Sequence, residues 1–352
     1  MLSQTIKLYD NRDDVTLTTY VLADSPEMLN GQKRPAVLVV PGGAYLNCSD
    51  REAEPVALRF AAMGYHAFVL RYSTYFQGVG TFPPPKDMPV NPNSLYPAPL
   101  RDMGKAFLTI RAHADEWLVD VDKIAICGFS AGGHNCGMYA VYWNDPVLSE
   151  HFGVAPELFK PAAAILGYAV LDYHLMFGGN PDPFARELGD AADIAYFGTK
   201  TPTKEELDIS SVTLHVSKHT PPTFLWATAA DALVPAENST RMATALAAAG
   251  VPFEIHVFES GGHGLSLANQ ATAGSLLEFD ADAEQWIDLA GRWLKKRLVL
   301  PIPAQPAWLL ALEAAQQGGE APRRSQSQTA LVVQWGHRVG RDDARRADAA
   351  RF

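Results

Sequence analysis

The sequence predicts an α/β domain in which a mostly parallel sheet is sandwiched between helices. Three observations predict it. Short apolar, β-branched runs recur along the chain, helical patterns separate them, and several of these runs end on glycine-rich turns. Its 352 residues, 47% hydrophobic and 19% charged, are ordinary for a soluble globular protein.

The first run, Ala36-Val37-Leu38-Val39-Val40, lies between Pro35 and Pro41 and reads as a strand buried on both faces. Glu54 to Met63 has helical spacing, Gly64 stops it, and His66 to Leu70 is the next strand. The order then repeats, with helices at Leu100–Asp115, Ala131–Trp143, Ser239–Ala249 and Ala281–Arg297. Strands are expected at Lys123–Cys127, Ala162–Leu166, Thr223–Ala227 and Phe253–Phe258. Two stretches interrupt the rhythm, about residues 74–99 and 172–222, and read as irregular, lid-like insertions. The expected catalytic domain is residues 1–298. Residues 299–352 form a tail, Pro-rich and then rich in Gly, Gln and Ser, ending in an Arg/Asp-rich run from Arg338 to Phe352. Two readings of the tail stand: a disordered extension, or an arm that joins a homo-oligomer through Trp308, Leu309, Leu310 and Leu312.

A net charge of −10 argues against nucleic acid as a partner. No apolar run is long enough to span a bilayer, and the first residues lack the basic-then-apolar order of a secretory signal. Cys48, Cys127 and Cys136 fall in no metal-ligand or disulfide pattern, so a cytoplasmic protein without metal or cofactor is expected.

The chemistry-bearing motif is Gly128-Phe129-Ser130-Ala131-Gly132, a G-x-S-x-G between a strand and a helix. A serine hydroxyl is a weak nucleophile and needs a base oriented by a carboxylate. Asp231 follows the strand ending at Ala227, and His263 follows the strand ending at Phe258, flanked by glycines. His134, on the helix after the serine, reads instead as satisfying a buried polar contact. The turn Pro41-Gly42-Gly43-Ala44-Tyr45 is placed to stabilise an oxyanion, with the N–H groups of Gly43, Ala44 and Ala131 as donors. Tyr45, Tyr72, Tyr75, Phe76 and Tyr96 fit either an aromatic wall around the site or the core, and of these only Tyr45 is the expected substrate contact.

With GFSAGGH, AADALVP and SGGHG in this order, the chain resembles the α/β-hydrolase superfamily over about residues 30–298. PGGAY, RYS at Arg71–Ser73, YPAPLRD at Tyr96–Asp102 and TPPTFLW at Thr220–Trp226 are similar to its acetyl-esterase and xylan-esterase-like branch. Pro41 replaces the histidine that hormone-sensitive-lipase-like esterases carry, which argues against that sister group. The resemblance implies an α/β-hydrolase fold and a serine carboxylesterase that removes short acyl groups, acetyl in particular, from small esters such as acetylated oligosaccharides. A prolyl-oligopeptidase-like serine peptidase and a non-catalytic binding protein on the same scaffold remain as alternatives.

Overall fold

The computed structural model describes residues 1–77, 84, 85, 87–176 and 182–316. The chain divides into two units, Met1–Ala304 and Gln305–Phe352. The first unit opens with strands β1 (Thr5–Tyr9), β2 (Arg12–Tyr20) and β3 (Arg34–Val40), then helix α1 (Glu54–Ala62) and β4 (His66–Arg71). It continues with α2 (Ala98–Ala112), β5 (Val119–Phe129), α3 (Ser130–Tyr142), α4 (Pro146–Phe152) and β6 (Ala163–Gly167). Helices α5 (Tyr173–Met176), α6 (Pro183–Phe197) and α7 (Lys204–Ser210) follow, then β7 (Thr223–Thr228), α8 (Glu237–Ala248), β8 (Phe253–Phe258) and α9 (Trp286–Lys295).

Among the described residues the strands form one eight-stranded sheet in the order β1-β2-β4-β3-β5-β6-β7-β8. Strands β3 to β8 pair in parallel, and β2 pairs antiparallel with both β1 and β4. The chain winds outward from β3 to β4, then returns to the other side of β3 as β5. The crevice beyond the carboxyl ends of β3 and β5 is therefore the switch point where open α/β sheets hold their ligands.

Residues of β3 are buried at every position and alternate between two cores. Ala36, Leu38 and Val40 face a core shared with Met103 and Phe107 of α2, Tyr139 of α3 and Leu246 of α8. Val37 and Val39 face Phe60 of α1 and Trp286 and Trp293 of α9. This two-sided burial is why the strand reads as an unbroken apolar run.

Several features differ from the expected elements: α4 falls where no helix was expected, and α9 begins at Trp286 rather than Ala281. The β1–β2 hairpin lies in a segment to which no strand was assigned, although Val15 and Leu17 alternate inward along β2. The second insertion is not wholly irregular, since it carries α5, α6 and α7. Helix α6 starts on Asp182, whose carboxylate accepts the Phe184 N–H at 2.9 Å, and stops at Gly198 in a left-handed conformation. Its buried face is built largely of Ala185, Ala191, Ile194 and Ala195. Residues 78–83, 86 and 177–181, within the two insertions, lie outside the described residues.

In the second unit, helix α10 (Ala307–Gln316) buries no residue, and Trp308, Leu310 and Leu312 are exposed. The run from Arg338 to Phe352 lies outside the described residues. No helix of the described residues is long and apolar enough to cross a membrane.

Two buried histidines couple this fold to pH. His66 accepts the Leu22 N–H on Nδ1 and donates from Nε2 to the Leu118 carbonyl, and burial pushes it down to about 4. Burial pushes His134 down to about 4 as well. In the unfolded chain each takes a proton near 6.5, so below that pH the unfolded state binds more protons. Stability is expected to fall as pH drops from about 6.5 toward 4, each histidine costing roughly 2 kcal/mol by pH 5. Urea unfolding at pH 7 and pH 5 checks this: His66→Gln should lose less stability across the interval than the wild type.

Candidate active site

The register that pairs Val40 with Gly128 sets the turn after β3 beside the turn after β5. The two backbones touch there. A Cβ on Gly132 would lie 2.2 Å from the Pro41 carbonyl oxygen, and one on Gly128 would lie 2.4 Å from the Gly132 oxygen. A Cβ on Gly42 would meet Phe129 O at 2.7 Å and Ser130 Cβ at 2.8 Å. Small residues flank the serine because chain must pass against chain, and Ser130 itself is held at φ +51°. That sharp turn presents its hydroxyl to the crevice.

His263 and Asp231 reach it from the loops after β8 and β7. Ser130 Oγ donates to His263 Nε2 at 2.8 Å, and His263 Nδ1 donates to Asp231 Oδ2 at 2.7 Å. The other carboxylate oxygen, Oδ1, accepts the N–H groups of Leu233 and Val234, both at 2.9 Å. With Oδ2 as acceptor, Nδ1 carries the ring proton and Nε2 faces the hydroxyl with its lone pair. The Asp231 side chain is sealed from solvent, whereas that of His263 stays partly open. Gly261 and Gly264, at φ +105° and +80°, make the turn that carries the imidazole inward.

Gly43 and Ala44 line the pocket with Ser130, and Ala131 follows Ser130 at the start of α3. Among the described residues no hydrogen bond uses the N–H of these three. Gly43 is required by its own turn: at φ +128°, a Cβ there would sit 2.2 Å from the Asn47 oxygen.

The pocket encloses about 200 Å³, below the roughly 300–1,000 Å³ usual for larger ligands. Leu46, Leu188 and Leu233 supply its apolar wall, and Asn47, Ser49 and Arg51 its polar side.

The aromatic wall is corrected by the structure. Tyr45 is 1% exposed and does not line the pocket. With Ala44 and Tyr45 both at positive φ, its ring turns into the core, where it packs on Tyr72 and Tyr196 and its hydroxyl meets His134 Nδ1 at 2.5 Å. His134 donates from Nε2 to the Ser210 carbonyl at 2.8 Å, so it is a satisfied core residue. The Tyr72 hydroxyl bonds the Pro41 carbonyl, and Tyr75, Phe76 and Tyr96 do not line the pocket. Leu188 and Leu233 were missed. A residue on a helix formed within an insertion and one in a turn carry no sequence signal that aims them here.

A family model described as BD-FAE matches residues 87–246, a span holding Ser130 and Asp231 but ending before His263. An α/β-hydrolase enzyme from a Medee basin deep-sea metagenome library is 33% identical. The match covers 85% of this chain and 98% of that one, with a TM-score of 0.61. The chain belongs to the α/β-hydrolase superfamily. This hydrolase is also 35% identical over 237 residues to Endo-1,4-beta-xylanase B of Butyrivibrio fibrisolvens, covering 67% of this chain and 33% of that protein. It spans between a third and a half of the length of the curated relatives it matches. The acetyl ester-xyloside bifunctional hydrolase of Caldicellulosiruptor lactoaceticus superposes with a TM-score of 0.64 at 28% identity, over 83% of this chain and 96% of that one.

The glycines of the hydrolase separate into two kinds. Gly132→Ala is expected to cost several kcal/mol, because the Cβ would press on the carbonyls of Pro41 and Val40, which move only if β3 and β5 part. Gly262→Ala meets nothing within 4 Å and should stay within about 0.5 kcal/mol of wild type. Urea midpoints of the two variants, measured side by side, check the contrast.

Proposed function

We propose that this hydrolase is a serine carboxylesterase that removes short acyl groups, acetyl foremost, from small esters such as acetylated oligosaccharides. One observation carries the reading: the bond chain Ser130–His263–Asp231 opens into a pocket of about 200 Å³ with one apolar and one polar side. His263 Nε2 takes the Ser130 proton as Oγ attacks the ester carbonyl, and Asp231 holds the imidazolium that results. The oxyanion of the tetrahedral intermediate lies against the N–H groups of Gly43, Ala44 and Ala131, each worth about 3 kcal/mol to the transition state. The imidazolium returns the proton to the leaving alcohol, an acyl-enzyme forms on Ser130, and water activated by His263 releases the acid.

The leucines around the pocket leave room for few methylenes, and Asn47, Ser49 and Arg51 suit a hydroxyl-rich alcohol. The names of relatives act in the same direction: one is an acetyl ester-xyloside hydrolase and another a xylanase. Three unpaired cysteines, Cys48, Cys127 and Cys136, suit a reducing cytoplasm.

Aryl acetate, butyrate and octanoate, acetylated xylo-oligosaccharides and a matched anilide test the proposal. Acetyl esters should turn over fastest; a preference for the anilide overturns it in favour of a peptidase. Ser130→Ala should fold normally, lose ester turnover and resist labelling by an organophosphate, and Asp231→Asn should lose about 10⁴-fold in kcat. Turnover near the wild-type rate in either variant rejects the assignment. Leu188→Ala and Leu233→Ala should each raise the butyrate-to-acetate ratio of kcat/KM by about tenfold, read from initial rates on the two esters.

A further inference from the structure

Glu52 lines the candidate pocket, yet the Ser130–His263–Asp231 chemistry gives its carboxyl no part. It closes the short 3-10 turn Asp50–Glu52 and is 4% exposed, and among the described residues no cation pairs with it. Its neighbour Arg51 bridges to Glu278 instead. Burial pushes the Glu52 carboxyl up, partly countered by the two hydrogen bonds it accepts. A buried, unpaired carboxyl is a poor way to gain stability.

Its two bonds indicate another use. Oε2 accepts the Gly42 N–H at 2.7 Å, immediately before the Gly43 and Ala44 donors. Oε1 accepts the Tyr168 hydroxyl at 2.7 Å. That hydroxyl accepts the Ser266 N–H at 2.9 Å, three residues beyond His263, and the Tyr168 ring stands edge-on to the imidazole at 5.1 Å. Ser266 Oγ closes the circuit by donating to the Arg51 carbonyl at 2.7 Å. Tyr168 and Ser266 both hold positive φ, a conformation that persists only where the surroundings impose it. One carboxyl thus ties the oxyanion loop to the loop of the base.

We propose that Glu52, acting through Gly42 and Tyr168, is a positioning residue for the esterase reaction, fixing the distance between the oxyanion donors and His263. The inference rests on the esterase reading above. Gln at this position keeps the volume and the Gly42 bond, but its amide nitrogen can only donate to the Tyr168 oxygen, which already takes the Ser266 N–H, so the Tyr168 O–H loses its acceptor and the tie to the base loop weakens. A misplacement of the order of 1 Å costs about a hundredfold in rate.

The test is steady-state kinetics on an aryl acetate, with active sites counted by organophosphate titration, on wild type, Glu52→Gln, Tyr168→Phe and the double variant. A role in folding alone lowers the number of titrated sites and leaves kcat per site unchanged. Positioning lowers kcat per site, by about a hundredfold in Glu52→Gln, with KM within twofold. The double variant should fall by clearly less than the sum of the singles in log kcat, since both act on one network. Where Glu52→Gln does not fold, Tyr168→Phe, which keeps the ring, decides: kcat per site must drop. Unchanged kcat per site in the folded variants overturns the proposal while leaving the esterase reading intact. A wild type without Ser130-dependent turnover removes the esterase reading itself.

Discussion

Every feature of the site depends on how closely two strand ends approach. Val40 and Gly128 are register partners, and the chain beyond each must turn away within a residue or two. Atoms of Gly132 and Pro41 occupy the space where any side chain would stand. That contact brings the β3 turn, with its free N–H groups, up against the serine of the β5 turn. The same approach forces Ser130 to positive φ. Ser130 and the turn after β3 are thus set side by side by sheet geometry.

The remaining partners come from farther along the chain and are held by hydrogen bonds rather than by strand register. Asp231 is clamped by the two N–H groups of its own turn, and the imidazole is clamped by Asp231. Tyr168 then stands against the other side of the ring, with its hydroxyl bound to Glu52. Ala44 and Tyr45 in the turn after β3, Tyr168 after β6 and Ser266 in the loop after β8 are non-glycine residues at positive φ. Strain of this kind gathers where geometry has to be held closely, and two of the four, Tyr168 and Ser266, belong to the hydrogen-bond network of Glu52.

Sequence reading reaches some of this and not the rest, for physical reasons. Strands buried on both faces announce themselves as apolar runs, so β3 to β8 are legible to within a few residues. Ser130, Asp231 and His263 are legible because each follows such a strand in a turn with marked composition. Tyr45 is not, because its direction depends on two consecutive positive φ values that no residue type at Ala44 or Tyr45 signals. Glu52 sits among Ser, Asp, Arg and Glu in a polar stretch without a motif, and only the tertiary fold buries it. Helix α6 hides behind alanines, although Asp182-Pro183 at its start and Gly198 at its end are ordinary helix boundaries.

Chemistry and selectivity therefore reside in different kinds of structure, with one residue belonging to both. Leu188 comes from α6, a helix of the second insertion, and has no part in holding the triad. Leu233 differs. Its backbone N–H supports Asp231 while its side chain lines the pocket. A side-chain change there reshapes the pocket wall without removing the bond to Asp231. A change that moved the backbone would disturb both. Such a position sets a limit on how far the pocket can widen by drift in this turn. The helix of the insertion, free of that double duty, is the part of the fold able to vary with the acyl group.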